Sequence, residues 1–231
     1  MRKEAALLRH EARLMLSWGF PGTLFLAFFI LAVVLRESRT ELLVVAEGIG
    51  PGAARLLAGA RAVRVAEITL APLAVIAAGH ATTLDDEARA GEVVRSLPPW
   101  RPAIPLRRLA AGWAAFVLAV PVVPALAGLV TSTGFDVAPV AVAPLAPAAF
   151  LTGLVLAAAT LLRSYPAGVA AAMAVWASDL LRPGVLTGPL YLFQRGNPME
   201  GVDLVANRLA LGLAGAALAA FALWLYGRQG Q

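Results

Sequence analysis

The chain has 231 residues, of which 60% are hydrophobic and only 14% are charged, and its mean hydropathy is +0.77. Soluble domains carry roughly 25% charged residues, so this composition excludes an ordinary soluble enzyme and indicates an all-α integral membrane protein. The net charge of +5 comes from Arg residues that flank apolar runs. This pattern favours contact with anionic lipid headgroups and argues against nucleic acid as a partner. Cysteine is absent, which excludes a disulfide framework or a thiolate site.

Residues 1–18 predict an amphipathic N-terminal helix. On a helical projection the large apolar side chains of this segment share one side and its Arg residues lie opposite. Such a helix lies in the plane of the membrane interface. A secretory signal peptide is the competing interpretation, and we reject it because no convincing small-residue cleavage site follows the apolar core.

Apolar runs predict six transmembrane spans. The spans are expected near residues 20–35, 66–81, 109–130, 138–162, 167–181 and 209–226. The last span carries small residues suited to close helix packing, namely Gly212, Gly215, Ala216 and Ala219. The uncharged run 183–194 is too short to cross a bilayer, since a spanning helix needs about 20 residues. Region 183–206 is therefore predicted to be re-entrant, with a pair of short helices.

Two carboxylates are candidates for polar sites within the membrane, Glu67 at the edge of span two and Asp179 at the end of span five. Acids within a bilayer are costly and often functional. Glu67 follows Arg64 by three residues, which predicts a local ion pair and an interfacial anchor. The two His residues make no metal site, and the single Lys, in the N-terminal segment, excludes a GxxxxGK[ST] phosphate loop.

A charged stretch, residues 82–108, separates predicted spans two and three. Thr83 with Asp86 resembles a capping box, and the acidic residues that follow suit the positive end of a helix dipole. Pro98 ends the helix. The stretch therefore predicts a short, solvent-facing helix over 84–97, and a plain polar loop is the alternative.

The distribution of positive charge sets the expected orientation. Six spans put both termini on one side of the membrane, and a majority of the 19 Lys and Arg residues fall on that side. The positive-inside rule then predicts cytoplasmic termini in a multi-pass protein of the cell membrane. Segment 84–97 is expected in the cytoplasm and region 183–206 outside it.

The order of these elements resembles the membrane subunits of type-2 ABC exporters over nearly the whole chain. The family's helix between spans two and three has an acid–small–Gly pattern followed by Leu-Pro and a base. This pattern is matched by Glu87, Gly91, Ser96, Leu97, Pro98 and Arg101. The opening of span six is matched by Asn207-Arg208-Leu209, which follows Asn197-Pro198.

The resemblance implies a permease, not an enzyme in itself, that forms a homodimer or a heterodimer with a second permease. Segment 84–97 would be the coupling helix, which docks on a separate ATP-binding subunit. ATP and Mg²⁺ would bind to that partner, and this chain would bind no cofactor. The implied docking residues are Asp85, Asp86, Glu87, Gly91, Glu92, Arg95, Leu97, Pro98 and Arg101.

Three other functions fit parts of the pattern. A haem-exporter-like permease of cytochrome c maturation has a comparable acidic-Gly-Leu-Pro loop. A proton-coupled carrier could use Asp179 and Glu67, and a membrane scaffold would transport nothing. The spans are dominated by Ala, Leu and Val and specify no substrate.

Overall fold

The computed structural model describes residues 19–83 and 103–228, and these residues form helices and turns without any strand. The α-helices are α1 (Gly19–Glu37), α2 (Arg39–Gly48), α3 (Pro51–Ala78), α4 (Ala103–Ala119), α5 (Val122–Thr131), α6 (Val137–Val142), α7 (Leu145–Leu162), α8 (Tyr165–Leu181) and α9 (Leu204–Arg228). Two 3₁₀ helices, Gly79–Thr82 and Gly188–Leu190, accompany them. The predicted interfacial helix 1–18 and coupling helix 84–97 lie outside the described residues.

Four helical stretches are long and apolar enough to cross a membrane. They are Phe20–Glu37, Ala103–Thr131, Val137–Leu162 and Leu204–Arg228. The second stretch joins α4 to α5 at Pro121, and the third joins α6 to α7 at Pro144. Both breaks occur at proline because its ring removes a backbone donor and clashes with the preceding turn. The prediction of a helical protein with membrane-spanning segments is confirmed at this level.

Helix α3 is much longer than the span predicted over 66–81. It begins at Pro51, directly after Gly50, whose φ of 122° lies in the region that favours glycine. Proline suits the first helical position because its missing N–H would have no partner there. The charged part of this helix is tied to α2 by an ion pair between Arg61 and Glu41. Residues 39–65, which precede the predicted span, therefore fold as α2 and the first half of α3.

The apolar core is shared by the long helices. The fully buried side chains of the core include Leu31, Leu70, Phe116, Leu151, Ala172 and Leu211. Helix α7 is central, because it packs against α3, α8 and α9. The core therefore holds together elements that are far apart in the sequence.

Helices α7 and α9 touch backbone to backbone at two glycines. A Cβ at Gly153 would lie 2.3 Å from the carbonyl oxygen of Gly215, and a Cβ at Gly215 would lie 2.4 Å from that of Ala149. Gly212, one turn earlier on α9, has open space instead. The predicted small-residue packing of the last helix is thus centred on Gly215.

The bundle has two distinct ends. At the first, called the Thr82 end, the Thr160 hydroxyl donates to Thr82 Oγ1 at 2.9 Å, and Ala81 packs near Leu156 and Ala222. At the other, called the loop end, residues 182–203 join α8 to α9. Helix α8 runs from the Thr82 end to the loop end and α9 returns. Both described flanks of segment 84–102 lie at the Thr82 end, since Leu109 of α4 also packs there.

Candidate functional site

Residues 182–203, called the loop segment, connect α8 to α9 through turns and a single 3₁₀ helix. Sequence patterns predict a pair of short helices here, and the structure forms turns instead. The physical reason is local: Gly184, Gly188 and Gly201 adopt positive φ angles of 66°, 56° and 77°. Prolines remove further backbone donors from the segment. These glycines and prolines therefore prevent a regular helix from forming in the loop segment.

Asp179, near the end of α8, anchors the first half of the loop segment. Its side chain is fully buried. The Thr187 hydroxyl lies 2.6 and 2.8 Å from its two carboxylate oxygens, and the Leu192 N–H donates to Oδ2 at 3.0 Å. Charge-assisted hydrogen bonds of this kind are stronger than neutral ones. The predicted intramembrane acid thus holds a turn in place.

Glu67 anchors the second half from α3. It is fully buried, forms an ion pair with Arg208, and accepts a hydrogen bond from the Gly196 N–H at 2.6 Å. The predicted local pair with Arg64 is wrong, because the ion-pair partner of Glu67 is Arg208. A Cβ at Gly196 would lie 2.5 Å from the Arg64 Cα, so the loop backbone rests directly on α3.

The start of α9 supplies the remaining donors. The Asn207 amide donates to the carbonyl oxygens of Pro189 at 2.7 Å and Tyr191 at 3.0 Å. Arg208 Nη1 donates to the Leu192 carbonyl at 3.2 Å. Sequence reasoning named both side chains only for their family resemblance and did not assign them to a site. The available signal was a polar pair opening an apolar helix.

Side chains within the loop segment complete the network. The Gln194 amide donates to the carbonyl oxygens of Met199 at 3.2 Å and Val202 at 2.8 Å, while its Oε1 accepts from the Met199 N–H at 2.9 Å. The Asn197 amide donates to the Tyr191 hydroxyl at 3.1 Å. Burial raises the pKa of Tyr191 above its usual value, so this phenol is neutral.

Leu192 joins the two carboxylates into one network, because its N–H binds Asp179 and its C=O binds the Arg208 that pairs with Glu67. Within the described ranges, no three His, Cys, Asp or Glu side chains are grouped as metal ligands. The arrangement is suited to joining the middle of α3 mechanically to the end of α8 and the start of α9. We call these interactions the loop clamp.

The two classes of predicted site residues have different outcomes. Glu67 and Asp179 belong to the loop clamp. The implied docking residues all lie in the part of the chain that the structure does not describe; they are Asp85, Asp86, Glu87, Gly91, Glu92, Arg95, Leu97, Pro98 and Arg101. Their role stays a prediction.

A separate apolar cleft of about 340 Å³ lies between α4, α7 and α9. Trp113 and Gly212 line it, as does Thr152. The Thr152 hydroxyl is buried without a hydrogen-bond partner in the described structure. A buried hydroxyl in that state carries a desolvation cost.

No model of a protein family, no curated protein and no solved structure matches this chain. Its function is therefore argued from its own sequence and geometry.

Proposed function

We propose that this chain is the membrane-spanning permease subunit of an ATP-driven ABC exporter. A separate ATP-binding subunit supplies the energy and carries ATP and Mg²⁺. Two permease chains, either identical or related, form the pathway in the cell membrane. In this proposal the six passes are α1, α3, α4–α5, α6–α7, α8 and α9, and both termini face the cytoplasm.

The observation that carries the proposal is the opposite placement of two connections. The loop segment is clamped at one end of the bundle. The acidic segment after Thr83 leaves α3 from the other end, and α4 resumes there. A permease driven by a partner on one side of the membrane needs a docking element on that side and a controlled closure on the other.

Helix α3 gives the two ends a direct mechanical link. From Glu67 to Thr82 the chain is helical throughout, as α3 with Pro72 inside it and then as the 3₁₀ helix Gly79–Thr82, over a distance of roughly 20 Å at 1.5 Å per residue. Glu67 then contacts both the loop segment, through Gly196, and α9, through Arg208. Tilting of α3 as a rigid body would therefore move the loop clamp, which is the kind of two-state transition that transporters use.

The test is charge reversal of Asp86 and Glu87 to Lys in the same chain. The tagged protein is purified from its native membranes, and any P-loop ATPase that co-purifies is identified by mass spectrometry. We expect the wild-type chain to retain such a subunit and to stimulate its ATPase activity, and the double variant to lose one or both. Unchanged binding and stimulation would contradict the docking assignment.

The matched control reverses Glu47 and Glu200, two exposed acids of the described chain that form no ion pair there. This control changes the net charge equally and should leave the ATPase bound and stimulated. A carrier that works alone gives a different result: the purified chain in vesicles would move its cargo under a pH gradient, and Asp179→Asn would abolish that uptake. That result would overturn the exporter proposal.

A further inference from the structure

A basic cleft of about 440 Å³ lies between α2, the start of α3 and the connection from α5 to α6. One face of α2 forms a wall, because Arg39, Leu42, Leu43 and Ala46 follow each other at helical spacing and all line the cleft. Arg55 of α3 lines the facing side. The cleft lies at the end of the bundle opposite Thr82, since α3 runs from here past Glu67 to that residue.

The two guanidinium groups in this cleft are uncompensated. Arg39 and Arg55 are exposed, and neither forms a hydrogen bond or an ion pair within residues 19–83 and 103–228. The neighbouring Arg61 differs, because Glu41 neutralises it. Arg55 also spans the cleft: its Nε would lie 3.4 Å from a Cβ at Gly134 on the opposite wall. The cleft thus presents, beside apolar side chains, two positive charges that have no counter-ion among the described residues.

An apolar groove of about 600 Å³ continues from the same place along α5. The two depressions share Ser132 and Gly134, and the groove extends to Ala125, Leu129 and Phe135. Leu129 is 76% exposed, so this wall has no cover within the described protein. A positively charged cleft therefore opens directly into an apolar groove on the exposed surface of the bundle.

We propose that this surface is a binding site for an anionic phospholipid. The two guanidinium groups hold the phosphate, for which their planar donors are well matched. The exposed Ser132 hydroxyl lies where the headgroup meets the chains, and one acyl chain follows the groove along α5. A free phosphate ion would use the charges and leave the groove empty, whereas a zwitterionic lipid would use the groove and leave the guanidinium groups only partly compensated.

The test measures lipid binding to the full chain by native mass spectrometry, with dioleoyl phosphatidylglycerol and dioleoyl phosphatidylcholine as probes. We expect the wild-type protein to bind phosphatidylglycerol at least about tenfold more tightly than phosphatidylcholine. A single hydrogen bond to a charged group stabilises a complex by enough to give a factor of this size. The variant with Arg39→Gln and Arg55→Gln should lose that preference. Its affinity for phosphatidylcholine, whose phosphate is offset by the choline cation, should fall much less than its affinity for phosphatidylglycerol.

Two further variants separate the site from general surface charge. Arg163→Gln with Arg182→Gln removes the same charge from exposed positions outside the cleft and should keep the preference. Arg39→Lys with Arg55→Lys keeps the charge without the bidentate geometry and should give an intermediate affinity. Elution as a single folded species in size-exclusion chromatography verifies each variant.

The source of the phosphate is tested by competition. Glycerol phosphate, which has the headgroup charge but no acyl chain, should fail to displace phosphatidylglycerol at equal concentration. Displacement would assign the cleft to a free anion and overturn the lipid proposal. Equal binding of the two lipids by the wild type, or an unchanged preference in the Arg39→Gln and Arg55→Gln variant, would overturn it as well.

Discussion

Glu67 of α3 forms its ion pair with Arg208 of α9, a residue 141 positions later in the chain. The carboxylate is fully buried and the Arg208 side chain is 19% exposed. The pair connects α3 to α9. The Gly196 N–H donates to the same carboxylate and so attaches the loop segment to it. The strength of this connection is directly measurable.

Removing one partner of this pair should be strongly destabilising. Glu67→Gln leaves Arg208 buried without its counter-ion, which typically costs about 3–5 kcal/mol. The measurement is reversible unfolding in mixed detergent micelles. The variant with Glu67→Leu and Arg208→Leu should recover much of the loss, because no unpaired charge then remains buried.

The exposed pair between Arg61 and Glu41 is the matched control. The side chain of Glu41 is 66% exposed, so Glu41→Gln should cost at most about 1 kcal/mol. If Glu41→Gln and Glu67→Gln lowered the unfolding free energy equally, burial of the ion pair would not explain its contribution to stability. A larger loss for the double Leu variant than for Glu67→Gln would show that the charge itself is required.

Asp179→Asn should loosen the loop segment selectively. Asparagine is neutral, so the hydrogen bonds from Thr187 and the Leu192 N–H lose their charge-assisted strength even where one amide oxygen accepts both, and we expect a cost of about 1–3 kcal/mol. Hydrogen exchange at Leu192 and trypsin cleavage after Arg195 should both accelerate. Thr187→Ser keeps the hydroxyl and should leave both rates near wild type, whereas Thr187→Ala should raise them.

Gly215→Ala should push α7 and α9 apart. The added Cβ would meet the Ala149 carbonyl at 2.4 Å, and overpacking of this kind typically costs about 1–3 kcal/mol. Gly212→Ala on the same helix meets nothing within 4 Å and should be neutral or slightly stabilising, because alanine favours helix. The test compares the unfolding free energies of the Gly215→Ala and Gly212→Ala variants. Equal values would contradict the close backbone contact between α7 and α9 at Gly215.

Thr152→Val should stabilise the protein. Valine has nearly the same shape as threonine, and the change removes a buried hydroxyl that has no hydrogen-bond partner. We expect a gain on the order of 1 kcal/mol in unfolding free energy. A loss of stability would mean that the hydroxyl is satisfied in the membrane-embedded protein.

The periodicity and apolar runs of the sequence were sufficient to predict the helical class. The first and last spans, predicted near residues 20–35 and 209–226, agree closely with Gly19–Glu37 and Leu204–Arg228. The apolar run over 66–81 marked only the second half of α3, because the first half, which begins at Pro51 after Gly50, is interrupted by charges. Proline also interrupted the predicted third and fourth spans.

The loop clamp was beyond prediction for a different reason. A local rule pairs Glu67 with Arg64 because they are neighbours on one helix, and it has no access to a partner on another helix. The donors from Leu192 and Gly196 are backbone groups, which leave no trace in residue type. Only the acids themselves were recognisable, as charges in apolar surroundings.

The long separation of Glu67 from Arg208 also constrains how the protein is made. Ribosomes add about 5–20 residues per second, so Glu67 is synthesised roughly 7 to 28 s before its partner. Throughout that interval a nascent chain carries a carboxyl group without its counter-ion. The connection between α3 and α9 through this pair can therefore close only after synthesis of the last helix has begun.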